Sequence, residues 1–179
     1  MDRFEEGYRR FRKGHWRQQR ELFEQLAMEG QNPKTMVLGC CDSRVDPQRI
    51  FDVGPGEFFV ARNVANLAPP YGPDSKFHGT SAALEFAMKG LEIPNIVILG
   101  HAKCGGIKAL VESDPNGPAK TDFIDSWMSV AAPARKVSGG LVDDRIGIHP
   151  EMPIAARGHR AGACAEEQST ICGNAALLM

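Results

Sequence analysis

Thr35-Met36-Val37-Leu38-Gly39-Cys40-Cys41-Asp42-Ser43-Arg44 decides the fold. Its first half is a short, almost wholly apolar run, and its second half turns abruptly polar. Such a run without alternation reads as a strand buried on both faces, as in a parallel sheet. Two similar runs follow. Phe58-Phe59-Val60-Ala61 comes after Pro55 and Gly56, and Asn95-Ile96-Val97-Ile98-Leu99 ends at Gly100 and His101. Between the latter two, Thr80 to Lys89 is helix-like, with Thr80 or Ser81 as N-cap and Gly90 as stop. Ile107 to Glu112 reads as a helix start, and Thr121 to Val137 as a helix interrupted near Pro133. Strands alternating with helices predict an α/β fold, a parallel-sheet core with flanking helices.

Outward from this core the pattern changes. Phe4, Tyr8 and Phe11 fall on one helical face, and Leu22, Phe23, Leu26 and Ala27 follow before Gly30 and Pro33. Residues 1–34 therefore read as an N-terminal helical arm whose apolar stripe packs on its own core or on a partner subunit. Residues 35–137 form the α/β core. Residues 138–179 are a divergent, atypically short C-terminal region, rich in Gly, Ala, Arg and Pro, in which 165–178 read as a late helix at best and no strand-like run follows.

Composition bounds the function. The 179 residues carry 21 Lys+Arg against 22 Asp+Glu, a net charge of −1, so no global basic field exists for nucleic acid. No apolar run approaches the roughly 20 residues of a membrane helix. Residues 1–20 mix acids with six arginines and show no signal-peptide pattern, so the expectation is a soluble cytoplasmic protein. Five cysteines, an odd count, argue against a disulfide framework and for thiol chemistry or metal ligation.

In open parallel sheets, ligands bind outside the carboxyl ends of the strands. Cys40 ends the first strand, and His101 and Cys104 follow the third. Two thiolates and an imidazole suit zinc, and three protein ligands leave a fourth position open, the mark of a catalytic site. No C-x-x-C pair is present, which disfavours a zinc ribbon or a thioredoxin-like site. A Cys-phosphatase loop needs five residues between nucleophile and arginine, but Cys40 and Arg44 are separated by three. Asp42 and Arg44, two apart after the strand, share one face if the backbone stays extended. Beside a metal, such a pair can orient bound water.

C-x-D-S-R at 40–44 with H-x-x-C at 101–104 resembles the β-class carbonic anhydrases. Gln31-Asn32-Pro33-Lys34, Pro55-Gly56-Glu57, Arg62-Asn63-Val64-Ala65-Asn66, Pro69-Pro70-Tyr71 and Glu85-Phe86-Ala87 extend the likeness toward the plant-like branch. The resemblance spans about residues 20 to 137. It implies one Zn2+ per chain on Cys40, His101 and Cys104, and zinc-dependent hydration of CO2 to bicarbonate and a proton. It makes Asp42 and Arg44 catalytic, Asp42 accepting from zinc-bound water or hydroxide and Arg44 holding Asp42. Gln31, Phe59, Val64, Phe86 and Gly105 become the substrate-binding set, Gln31 bonding substrate oxygen and Phe59, Val64 and Phe86 forming an apolar wall. Phe86 stands where relatives often carry tyrosine. The implied partners are CO2 and bicarbonate, with a homodimer or higher homo-oligomer. A catalytically impaired zinc-binding module and a CS2/COS hydrolase-like relative are the alternative readings.

Overall fold

The computed structural model describes residues 2–73, 78–114, 116–133 and 176–178. The three apolar runs form strands β1 (Thr35–Cys40), β2 (Phe58–Asn63) and β3 (Asn95–Leu99). All pair in parallel, and a short β4 (Ala176–Leu178) completes the order β2-β1-β3-β4. β1 lies inside the sheet, and its residues from Met36 to Cys40 are all buried. Burial on both faces is the reason its sequence does not alternate.

The chain passes from β1 to β2 on one side, then crosses β1 to lay β3 on the other. This reversal is a topological switch point, and sheets of this kind place their binding crevice beyond the carboxyl ends of the strands that flank it, here β1 and β3. Two apolar clusters support it. One, near the strand starts, joins Met36, Leu84, Ala87 and Ile93, with Phe59, Ala61 and Ile96 packed against them. The other, at the carboxyl ends, joins Cys40, Val45, Ala65, Cys104 and Met128, with Val64, Ile107 and Trp127 against them.

The N-terminal arm resolves into α1 (Asp2–Lys13), α2 (His15–Gln18) and α3 (Arg20–Glu29), broken at Gly14 and Gln19. α1 buries no residue, and Phe4 and Tyr8 are 79% and 61% exposed. Its aromatic stripe is therefore not covered by the chain's own core. A short α4 (Pro47–Phe51) went unanticipated, although Asp46-Pro47 is a readable start: the Asp46 carboxylate accepts from Arg49 N–H, and proline fits the first helical turn.

The helix expected over 80–89 is α5 (Gly79–Glu85) followed by a wide π turn over Phe86–Gly90. Neither Thr80 nor Ser81 caps it; His78 holds that position without a side-chain cap bond. α6 begins at Gly105, two residues before the expected start, because Cys104 is extended and serves as N-cap. The 121–137 helix is shorter than expected. α7 spans Ile124–Met128 and tightens into a 3-10 turn at Ser129–Ala131, while 134–137 lie outside the described residues. A reciprocal pair starts it: Thr121 Oγ1 accepts from Asp125 N–H, and the Asp125 carboxylate accepts from Thr121 N–H.

One expectation for the C-terminal region is overturned. Ala176–Leu178 is a strand, not the end of a helix, in register Val97↔Ala176 to Leu99↔Leu178. The open edge of β3 offers unpaired backbone groups that an apolar segment can complete. Three residues are too few for periodicity to reveal this. The remaining 138–175 lie outside the described residues.

Leu38 is fully buried in the central strand. Leu38→Ala is expected to cost about 2–5 kcal/mol of stability, read as a lowered denaturant midpoint with little change in slope.

Candidate metal centre

The β1–β3 register sets the site. Gly39 pairs with Leu99, so the next residue of β1, Cys40, and the residues just past β3 emerge at one end of the sheet. Lys103 adopts a left-handed conformation at φ 53, within the turn that carries His101 and Cys104. The ligating atoms of Cys40, His101 and Cys104 all lie within 4.8 Å of one another. Both cysteines are buried, and their sulfurs are 3.9 Å apart. That is far beyond a disulfide bond. It is close to the roughly 3.8 Å that two Zn–S bonds of about 2.3 Å subtend at a tetrahedral angle.

The histidine fits the same purpose. His101 Nδ1 lies 3.0 Å from the Ala102 carbonyl, and the proton placed there leaves Nε2 as a lone pair. Nε2 is buried and without a hydrogen-bond partner, which among the described residues is true of no other buried side-chain nitrogen or oxygen. An orphaned imidazole nitrogen beside two buried sulfurs is a donor set for a borderline-soft metal such as zinc. Burial pushes the Cys104 thiol up, while N–H groups of Ile107 and Gly106 at the start of α6 act in the opposite sense. A bound cation favours the thiolate in such a place.

Asp42 sits beside this group, fixed by three bonds from one residue. Arg44 Nε donates to Oδ1 at 2.9 Å, Nη2 to Oδ2 at 2.7 Å, and the Arg44 backbone N–H to Oδ1 at 2.9 Å. These bonds hold the Asp42 carboxyl well below the usual carboxylate range, and the pairing raises Arg44. With its folded value depressed, Asp42 contributes a small, solvent-screened share of stability above the ordinary carboxylate range, lost progressively as pH falls from that range through the folded value. Arg44 Nη2 also donates to the Lys103 carbonyl at 3.2 Å, tying the β1 loop to the β3 turn.

Val64 and Gly105 belong to this end of the molecule. Val64 packs against the cluster that contains Cys40 and Cys104, and Trp127 Nε1 donates to its carbonyl at 2.8 Å. Gly105 opens α6, where the first amides have no intrahelical acceptor. Phe59 and Phe86 are brought together, their rings 5.9 Å apart, but elsewhere. Phe59 pairs with Met36, four residues before Cys40, or about 13 Å along the strand. Gln31 is exposed and precedes the amino end of β1, a strand that runs about 16 Å before reaching Cys40. Sequence reasoning gave Arg62 no role beyond its motif, yet it donates to the backbone carbonyls of both Cys40 and Asp42.

Fold and site together define a two-thiol, one-imidazole centre at the switch point of a parallel sheet. The family model described as carbonic anhydrase matches residues 35–152, extending past residue 137, where the motif likeness fades. Beta carbonic anhydrase 3 of Arabidopsis thaliana is 39% identical over 136 residues, covering 75% of this chain and 52% of that protein. Among solved structures, the β-carbonic anhydrase CcaA matches with a TM-score of 0.70 at 36% identity, over 80% of this chain and 65% of that one. One of two tetrameric β-carbonic anhydrases from Sordaria macrospora matches at 0.65 and 27% identity, over 80% and 71%. The chain belongs to the β-class carbonic anhydrase family. It spans about half the length of the Arabidopsis relative.

Gly106 shows how tightly α6 is set against the site. A Cβ there would lie 2.9 Å from Val64 Cγ1 and 3.0 Å from Ala65 Cβ. Gly106→Val is expected to destabilise the fold by about 1–3 kcal/mol, measured by chemical denaturation, because α6 must back away from the 64–66 turn.

Proposed function

We propose that this chain catalyses the reversible hydration of CO2 to bicarbonate and a proton, with one zinc ion per chain on Cys40, His101 and Cys104. The observation that carries this reading is the convergence of two buried sulfurs and an unpartnered imidazole nitrogen beside the locked Asp42–Arg44 pair. When bound, zinc supplies a Lewis acid that brings the pKa of a water molecule toward about 7.

The chain's own residues do the rest. A carboxylate has about four acceptor sites, two on each oxygen. Arg44 fills both on Oδ1 and one on Oδ2, which leaves Oδ2 one site to accept a solvent proton. Held ionised, Asp42 can only accept, so it selects a donor and aims the remaining lone pair of that oxygen at the carbon of CO2. Arg44 prevents the carboxylate from rotating. The Gly105 N–H, at the positive end of α6, suits the anionic product. Val64 offers apolar surface to a small apolar substrate.

Gln31, Phe59 and Phe86 enter this scheme only through a second copy of the chain, because β1 separates them from their own metal centre. Support comes from the uncovered aromatic stripe of α1, from Phe86 being 53% exposed, and from the tetrameric state named for the Sordaria relatives. The reading is a homodimer or higher oligomer in which each apolar wall serves the neighbouring centre.

Stopped-flow CO2 hydration on zinc-quantified protein tests the activity. The parent is expected to bind about one zinc per chain by elemental analysis, and Cys104→Ser to lose it, whereas Cys41→Ser keeps it. Retention of stoichiometric zinc by Cys104→Ser would sink the ligand assignment. Asp42→Asn should retain zinc yet lose about 10–100-fold in rate, since an amide can donate where only an acceptor serves.

Analytical ultracentrifugation tests the assembly. A dimer or larger species is expected at micromolar concentration, and replacing Phe4 and Tyr8 with serine should shift it toward monomer. A stable, fully active monomer of the parent chain contradicts the shared-wall reading.

A further inference from the structure

Asp42 is gripped at both ends. Arg44 holds its carboxylate, and Arg62 holds its backbone. Arg62 reaches from β2, where it pairs with Gly39, across the carboxyl end of β1. Its Nη2 donates to the Asp42 carbonyl at 2.7 Å and its Nε to the Cys40 carbonyl at 2.8 Å. The third nitrogen, Nη1, lies 3.3 Å from Asp46 Oδ2. One planar fork thus joins the backbone of a metal-ligand residue, the backbone of the carboxylate residue and the acid that caps α4.

We propose that Arg62 is a positioning residue, whose guanidinium fixes the Cys40–Asp42 backbone so that the Cys40 sulfur and the Asp42 carboxylate are presented together. The proposal rests on the metal reading given above. It assigns Arg62 no contact with metal or substrate; Arg62 acts through two carbonyls.

The chemistry asks for arginine. Beyond Cys40 the ladder of β1 ends; one further bond reaches β2, from Cys41 N–H to the Asn63 carbonyl at 2.9 Å, and a local turn bond runs from Val45 N–H to the Asp42 carbonyl at 3.1 Å. The Cys40 carbonyl accepts from Arg62, and the Asp42 carbonyl accepts from both Arg62 and the Val45 N–H. Serving them from one head group, with a carboxylate on the third nitrogen, needs the fixed fork of a guanidinium; an ammonium is a compact point donor on a flexible stem. The backbone of Cys40 sets its Cα–Cβ direction, and hence where its sulfur stands relative to Cys104 and His101.

The test uses the full chain as parent, Arg62→Lys, Arg62→Met and Asp46→Asn. Zinc affinity is measured by competition with a chromophoric chelator. The Co2+-loaded proteins are compared by their thiolate charge-transfer and d–d absorption, and thermal melting of the metal-free forms reports stability separately. Both Arg62 variants are expected to bind zinc about 10–100-fold more weakly. Their Co2+ spectra should be altered, because the Cys40 sulfur no longer holds one geometry. Asp46→Asn, which keeps a cap acceptor for α4, should stay within about twofold of the parent.

An Arg62→Lys protein with the parental zinc affinity and Co2+ spectrum overturns the proposal, even if its melting temperature falls. Equal weakening by Asp46→Asn also overturns it, since the ion pair and not the carbonyl grip would then be responsible. If Arg62→Met fails to fold, Arg62→Lys decides. If neither folds, Arg62 is a folding residue and the positioning role is wrong. A parent that binds no zinc at all overturns the metal reading itself, and this inference with it.

Discussion

The parallel pairing of β1 with β3 is the constraint on which the rest depends. β1 and β2 come early in the chain, and β3 returns to the opposite side of β1. That return places a position 61 residues after Cys40, His101, at the same end of the sheet. Sheet hydrogen bonds and apolar burial fix this arrangement, not any attraction among the polar groups of the site. Met36, Val37 and Leu38 are wholly buried, so a one-residue slip of β1 would exchange what each face presents. The register that satisfies the core is also the register that gathers two sulfurs and an imidazole.

Around that frame, arginines do geometric work that short polar loops cannot do alone. Arg44 closes a two-pronged pair on Asp42 and reaches the Lys103 carbonyl, so the loop after β1 and the turn after β3 share one guanidinium. Arg62 satisfies carbonyls where the β1 ladder stops. Exposed ion pairs contribute little to stability, and Arg44 is more than half exposed. Orientation is where these contacts matter: a carboxylate with one acceptor site left has few ways to bond to solvent.

The apolar surfaces divide along the length of the sheet. The cluster at the carboxyl ends is built around Cys40 and Cys104, while Phe59 belongs with the cluster at the strand starts. A single chain therefore carries the Cys40, His101 and Cys104 cluster at one end and an aromatic pair at the other. The family to which it belongs includes solved tetramers, and the unburied aromatics of α1 are consistent with a surface made for another subunit.

Much of this was legible in the residues themselves. The apolar runs at 35–40, 58–61 and 95–99 marked three strands, because a strand buried on both faces leaves a local, continuous signature. Cys40, Asp42, Arg44, His101 and Cys104 were readable because Cys40 ends one strand and the others lie within five residues of a strand end. Asp46-Pro47 announced a helix start that a closer reading of caps would have found. What the sequence could not settle was long-range. Whether Phe59, Phe86 and Gln31 sit beside Cys40 depends on where the start of β1 lies relative to its end, a distance only the folded strand defines. β4 depends on the open edge of β3, and three apolar residues carry no period of their own. Arg62 looked like part of a motif, and its role emerged only when β2 laid its side chain across two carbonyls of a neighbouring strand. Local patterns record which face of an element is buried; contacts between elements distant in the chain are made by the sheet, and tertiary structure alone decides them.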